Sequence, residues 1–404
     1  MTFFFVFSII ILDITTLWGI KKSFPQFSSR HRRGIKNAFI IQSAVSLFIV
    51  LGGNLLQNYV SDYRMFALYY YIFGFMSAFY IPKSIYAVFL GINLAISRLF
   101  CKIPISKYGF WICLFFIFPV IWGILFGRYN FTVENVELTF ENLPEAFDGY
   151  KIVHISDIHT GSFAGFAERF QKATDLINVQ NPDIIVATGD MVNNFADETV
   201  SFIPVFSQMK ARDGKYAVLG NHDYGGYYKW RNDADSVANH VALKNAIEEM
   251  GLELLNNGSI VISRDTSRIA LAGVENWGVL KRHPKLGDIE KAIDTVRDIP
   301  FKILLSHDPA FWTEKVAGKT DIALTLSGHT HGMQIGLKLG KKRYNPLYLL
   351  RYRYLAGLYT KDGQFLYINR GLGVIGFPGR IGMSPEITVI TLLSSGQSHS
   401  HILP

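Results

Sequence analysis

Thiols are nearly absent: the 404 residues contain two cysteines, Cys101 and Cys113. Both lie in or beside apolar runs, at no spacing that thiolate sites use. That excludes a disulfide framework and a cysteine-ligated structural zinc. Acidic residues are scarce in the first third. Only Asp13 and Asp62, of 32 Asp and Glu, fall in residues 1–130, against 12 of the 40 Lys and Arg. The formal charge of +8 therefore belongs to that segment, and the remainder has no basic excess. A basic chain often reads as a nucleic-acid binder; with the excess confined to an apolar third, no nucleic acid is expected as a partner. The N-terminus also lacks a basic leader and a small-residue cleavage site, so its apolar run does not read as a cleaved signal. No internal repeat or low-complexity stretch is present.

Apolar residues are abundant, at 49% of the chain, and much of that sits in long runs. Phe3–Trp18, Ala38–Leu56 and Tyr108–Phe126 approach the roughly 20 residues that a helix needs to cross a bilayer. Met65–Ile81 and Ser84–Ile96 form either one helix passing through Pro82 or two short helices turning at Lys83. Four spans put Lys21, Lys22, Arg30, Arg32, Arg33, Lys36, Arg98, Lys102 and Lys107 in inner loops, with only Asp62 and Arg64 in the outer one. That satisfies the positive-inside rule. Five spans would leave Arg98, Lys102 and Lys107 outside. Four are therefore expected, with both the N-terminus and everything after Phe126 on the outer face of the membrane. Asp13 is costly within a span. It is either functional or simply faces a neighbouring helix or the interface near Trp18, and with no matching charge in the other runs the second is expected.

After Arg128 the pattern changes. Phe131–Phe140, Ile152–Ser156, Ile184–Ala187, Tyr216–Leu219, Ile260–Ser263, Ile269–Ala272, Lys302–Leu305, Ile322–Leu326, Phe365–Ile368 and Ile387–Leu392 read as strands. Phe166–Val179, Val200–Lys210, Ser236–Met250 and Ile289–Val296 read as helices. The alternation predicts an α/β domain on stacked or wound sheets. The expected organisation is a membrane region over 1–127, a linker and leading strand over 128–147, a catalytic domain over 148–393 and a mobile tail over 394–404.

Polar residues cluster where predicted strands end. Ser156-Asp157-Ile158-His159, Gly189-Asp190, Gly220-Asn221-His222-Asp223, Ser306-His307-Asp308 and Gly328-His329-Thr330-His331 each follow one. In wound sheets, sites form beyond the carboxyl ends of the strands. Asp and Asn oxygens with His nitrogens suit divalent ions such as manganese, iron or zinc. Asp157 and His159 are two apart, so an extended chain turns both to one side; His329 and His331 repeat the spacing. The glycines before Asp190, Asn221 and His329 allow sharp turns and leave room for a metal or phosphate. A lone Gly-Asp after a strand is usually a turn, and a lone Asp-x-His is usually surface polarity; five such pieces in order are what carries the reading. His154 reads as a packed strand residue, and His31, His240, His283, His399 and His401 as surface. Ser156, Ser306 and Ser327 are either donors to the ligands or packing residues.

This set resembles the calcineurin-like metallophosphoesterase superfamily over about residues 148–393. Asn369-Arg370-Gly371-Leu372-Gly373, Pro385-Glu386-Ile387 and His331-Gly332-Met333-Gln334 are similar to its bacterial membrane-associated branch, where a glycine is commoner than Met333. The apolar runs give an N-terminal α-helical transmembrane bundle, and the resemblance implies that an α/β metallophosphoesterase domain of stacked mixed β-sheets flanked by helices follows it. The resemblance also implies two divalent metal ions, one held by Asp157, His159 and His331, the other by Asn221, His307 and His329, with Asp190 bridging. Such a pair activates water for attack on phosphorus. His222 would be the general acid, and Asp223 would orient its ring or serve as a turn residue.

Superfamily members hydrolyse many phosphate esters, and fold does not choose among them. A membrane anchor favours a lipid-linked or envelope substrate. A UDP-2,3-diacylglucosamine-type pyrophosphate hydrolase is the alternative, although such enzymes act from the cytoplasmic side. A catalytically inactive membrane sensor would lack a ligand, and all seven are present. A transporter would carry paired charges in its spans, and Asp13 alone is visible there. Trp277, Lys281 and Arg282 are candidates to cover the site. Tyr224, Tyr227, Tyr228 and Trp230 either meet substrate or pack.

Overall fold

The computed structural model describes residues 2–59, 62–99, 105–163, 166–278, 285–340, 342–345 and 353–396. Cys101, Lys102, Lys281, Arg282, His283, His399 and His401 lie outside the described residues. The chain divides into two compact units, Met1–Gly127 with Gly376–Ile381, and Arg128–Ile375 with Gly382–Pro404.

The first unit contains helices α1 (Thr2–Ser23), α2 (Ser29–Tyr59), α3 (Tyr63–Leu99) and α4 (Ile105–Leu125), each long and apolar enough to cross a membrane. The ambiguous stretch from Met65 to Ile96 is one helix with Pro82 inside it. Proline removes one backbone hydrogen bond but keeps a helical φ, and a long helix packed on neighbours tolerates that. Glycines bring the helices close: a Cβ at Gly19 would strike Leu90, and one at Gly109 would strike Phe89. Small residues at such crossings are what membrane helices pack with. Phe48, Phe115 and Phe118 point outward and exposed. The hexapeptide Gly376–Ile381 groups with these helices, through Phe377 and Ile381 against Ala78, Val120 and Ile124.

Asp13 corrects one expectation. Lys83 pairs with it, and both side chains are buried. Ser43 and Tyr80 also donate to the carboxylate, Tyr80 at 3.0 Å, and Lys83 donates to Gln42 Oε1 at 2.6 Å. Lys83 had read as the break between two apolar runs. Because α3 continues through Pro82, it lies inside a helix instead, and the matching charge for Asp13 exists.

The second unit is built on two six-stranded sheets. Its strands are β1 (Thr132–Phe140), β2 (Tyr150–Ile155), β3 (Ile184–Thr188), β4 (Lys215–Val218), β5 (Glu253–Leu254), β6 (Gly258–Arg264), β7 (Ser267–Gly273), β8 (Lys302–Leu305), β9 (Leu324–Ser327), β10 (Leu337–Leu339), β11 (Lys342–Tyr344), β12 (Gly357–Lys361), β13 (Gln364–Ile368) and β14 (Glu386–Ser394). One sheet runs β1-β14-β2-β3-β4-β5, the other β12-β13-β9-β8-β7-β6, and β10–β11 form a hairpin. Side chains alternate across each strand. Ile152, Ile184 and Val186 meet Leu271, Ile303, Leu305 and Leu326 of the other sheet in a shared core. Val153, Ile185 and Ala187 face outward onto helices α5 (Gln171–Val179), α6 (Ile203–Phe206) and α7 (Asp233–Glu249). Ala272 and Leu304 pack on α8 (Ile289–Ile293) and Trp312. The result is helix, sheet, sheet, helix.

Where the expected elements differ, the causes are local. Val200–Lys210 contains only the short α6, since Pro204 suits a first turn and not a helix interior. Strand β12 and the β10–β11 hairpin were not anticipated: Gly357 and Lys361, and Lys338, Lys342 and Arg343, interrupt the apolar alternation that marks a strand.

Candidate metal centre

Strands β2, β3 and β4 are mutually parallel, as are β7, β8, β9 and β13. Their carboxyl ends therefore release chain on one side of each sheet. Asp157 and His159 follow β2, Asp190 follows β3, Asn221 follows β4, His307 follows β8, and His329 and His331 follow β9. Asp157, His159, Asp190, His329 and His331 all have positive φ, between 45° and 72°. Each such residue costs about 1–3 kcal/mol, and that cost clusters at functional sites. The expectation that Asp157 and His159 align because the chain is extended is therefore corrected. Tight left-handed turns aim them. Of the glycines, Gly189 supplies a positive φ of 86°. Gly220 and Gly328 supply room, since a Cβ would strike Asp190 at the first and Ser156 and Asp157 at the second.

The seven side chains converge. Ligand atoms of Asp157, His159, Asp190 and His331 lie within 4.8 Å of one another, as do those of Asp190, His307 and His329. Asp190 belongs to both groups. His331 Nε2 is 3.2 Å from Asp157 Oδ1 and 3.2 Å from His159 Nε2. His307 is the most telling. Its Nδ1 lies 2.8 Å from the Thr188 carbonyl, which can only accept, so Nδ1 carries the proton. Its Nε2 then faces Asn221 Oδ1 at 3.1 Å, Asp190 Oδ2 at 3.3 Å and His329 Nδ1 at 3.1 Å. For a neutral His307 the Nε2 lone pair then faces the lone pairs of Asn221 Oδ1 and Asp190 Oδ2, and a cation or an added proton relieves that.

Electrostatics agree. Burial alone would lower the His307 imidazole, but Asp190 and Asp157 outweigh it and push it up to about 10. Burial opposes ionisation of Asp190, yet His307, His222 and His159 hold it well below the carboxylate range. Burial lifts Asp157 to about 6, against the pull of His307, and drops His159 to about 3 despite Asp190. Without a cation, the cluster thus draws a proton onto His307. The donor set, oxygens and imidazoles with no thiolate, fits a pair of divalent ions.

Residues 150–333 match the family model described as calcineurin-like phosphoesterase. A Bacillus subtilis protein named as an uncharacterized metallophosphoesterase, YkuE, is 33% identical over 284 residues, covering 68% of this chain and 91% of that one. The chain belongs to the calcineurin-like phosphoesterase family. A zebrafish (Danio rerio) relative named transmembrane protein with metallophosphoesterase domain is 31% identical over 281 residues; the match covers 67% of this chain but 60% of the relative's length. An uncharacterized metallophosphoesterase of Aquifex aeolicus is 25% identical, with 68% and 98% covered.

Around this calcineurin-like cluster, His222 Nδ1 bonds the Asn193 carbonyl at 2.8 Å, and its ring stands edge-on to His159 with centroids 4.9 Å apart. Asp223 does not orient it. Its carboxylate instead accepts the backbone N–H groups of Asp190, Met191, Val192 and Gly220, at 2.8–3.2 Å. Ser156 Oγ donates to Asp157 Oδ2 at 2.6 Å, and the His329 N–H reaches both Asp157 oxygens. Among the described residues, Ser306 Oγ reaches only the Asp308 carbonyl, and Ser327 Oγ is buried without a hydrogen-bond partner. His154 is packed and bonded to Thr188 Oγ1. His240, expected at the surface, stacks on Tyr224. Tyr228 and Trp230 pack with Phe195, and Trp277 packs on Phe311 and donates to Glu314.

Glu198 was missed. This buried carboxylate accepts the N–H groups of Gly161, Asn193, Asn194 and Phe195, tying the turn after His159 to the loop after Asp190. Its sequence signal is faint: a glutamate at the third position of a one-turn helix, as in a capping box.

Proposed function

We propose that the chain is a membrane-anchored, binuclear metal-dependent phosphoesterase. Asp157, His159 and His331 hold one divalent cation (manganese, iron or zinc), Asn221, His307 and His329 hold the other, and Asp190 ligates both. The observation that carries this is the convergence on His307 Nε2 of Asn221 Oδ1 and Asp190 Oδ2, two oxygens that can only accept. When bound, such a pair polarises phosphoryl oxygens and acidifies water, which is what hydrolysis of a phosphate ester needs. The chain's own residues do the rest. Asp223 and Glu198 hold the ligand loops, and the absence of a Cβ at Gly220 and Gly328 keeps the centre open. His222, oriented by the Asn193 carbonyl, protonates the leaving oxygen as general acid.

The four helices favour a lipid-linked or envelope substrate, since an anchored enzyme meets its substrate in two dimensions. The distribution of Lys and Arg favours a catalytic unit on the outer face of an inner or plasma membrane. That placement argues against the UDP-2,3-diacylglucosamine alternative, which needs the cytoplasmic side. Purified protein with added Mn²⁺ should hydrolyse bis-p-nitrophenyl phosphate or p-nitrophenyl phosphate, and the preference separates diesterase from monoesterase; no turnover of either would reject the reading. A cysteine placed at exposed Glu141 should react with an impermeant maleimide in intact cells. Labelling only after lysis would overturn the outer placement.

A further inference from the structure

Tyr227 lies flat against the His222 imidazole, with ring centroids 4.1 Å apart and planes 9° from parallel. Its hydroxyl oxygen also accepts a hydrogen bond from Asn221 Nδ2 at 2.9 Å. The other end of that amide, Oδ1, faces His307 Nε2 at 3.1 Å. One side chain thus touches two members of the centre, and neighbouring Tyr224, Tyr228 and Trp230 pack elsewhere.

The two ends of an asparagine amide are chemically opposite. The oxygen has lone pairs to give a cation, while the nitrogen presents two protons. Asn221 is buried, so Nδ2 needs an acceptor. Without the Tyr227 hydroxyl, the amide gains by rotating half a turn, because Nδ2 would then donate to the His307 Nε2 lone pair. That rotation removes the oxygen from the cation and replaces it with protons.

We infer that Tyr227 is a positioning residue that latches the Asn221 amide with its oxygen toward the second cation, while its ring fixes the plane of His222. This rests on the two-cation reading above. The latch belongs to one cation only, because Asn221 belongs to the His307–His329 half.

The test is Mn²⁺ titration of the full-length, detergent-solubilised protein, read by calorimetry and elemental analysis, with Tyr227→Phe, Tyr227→Leu, Asn221→Ala and the Tyr227→Phe/Asn221→Ala double variant. Tyr227→Phe should weaken one Mn²⁺ by roughly 10- to 100-fold, the usual cost of losing a partner behind a ligand, and leave the other unchanged. Its turnover should recover toward wild type at saturating Mn²⁺, because the stacked ring is kept. Tyr227→Leu should weaken the same ion, and its turnover should stay low when saturated. In the Asn221→Ala background, Tyr227→Phe should have no further effect on affinity. Tyr228→Phe, away from the centre, should bind both ions like wild type. Wild type binding two ions with Tyr227→Phe unchanged, or weakened equally at both, overturns the latch alone. Wild type binding none overturns the two-cation reading itself.

Discussion

Asp223 accepts the backbone N–H of Asp190 at 2.8 Å, and with its two oxygens also takes those of Met191, Val192 and Gly220. Asp190 is the carboxylate common to both ligand groups. Asp223→Asn keeps one accepting oxygen and turns an NH₂ toward backbone donors. Each buried bond lost this way costs about 1–3 kcal/mol. Both cations should therefore weaken together, by at least roughly tenfold each, in a metal titration. Intact binding of both with lost turnover would instead mean that Asp223 acts through His222.

His222→Ala should keep the metal stoichiometry of wild type and lose about 10²- to 10⁴-fold in kcat. The loss should be smallest for p-nitrophenyl esters, whose leaving group departs without a proton, and largest for alkyl esters. Equal losses across leaving groups would rule out a general-acid role.

Glu198→Gln should lower the thermal midpoint, because one amide oxygen cannot serve four backbone donors. The effect has a pH signature. Burial lifts the Glu198 carboxyl to about 6 from an ordinary 4.5, with the four N–H bonds opposing. Between those values the folded chain holds more protons than the unfolded one. Its contribution is thus full below about pH 4.5 and declines as pH rises through 6. The stability gap between wild type and Glu198→Gln should narrow from pH 5 to pH 7. A gap that widens would contradict the assignment.

Lys83→Met leaves Asp13 buried without its cation and should destabilise the helical unit by about 3–5 kcal/mol, seen as a lower thermal midpoint in detergent. Asp13→Leu with Lys83→Met should recover most of the loss. Equal destabilisation by single and double variants would show that the pair contributes nothing.

Much of this was legible beforehand because strand ends are marked twice, by an apolar run stopping and by a glycine or serine before the ligand. Ile152–Ser156 leading into Asp157 is one case, and Leu324–Ser327 leading into Gly328-His329 is another. What stayed hidden depends on pairing across long sequence distances. Lys83 and Asp13 are seventy residues apart, and an interrupted hydropathy pattern put Lys83 outside a helix. Asp223 sits beside His222 in sequence, which suggested a partnership that the backbone of residues 190–192 claims instead. Left-handed φ at Asp157 and His159 leaves only a faint mark in residue type, since neither position is glycine, although Asp and His adopt it more readily than most side chains.

The central claim is that seven side chains hold a pair of cations. Elemental analysis of well-folded full-length protein, after loading with Mn²⁺ and removal of excess, tests it most directly. Two ions per chain are expected in wild type, about one in Asp157→Ala and in His307→Ala, and essentially none in Asp190→Ala. Folded wild-type protein that retains no ion, and cannot be loaded with manganese, iron or zinc, would contradict the account.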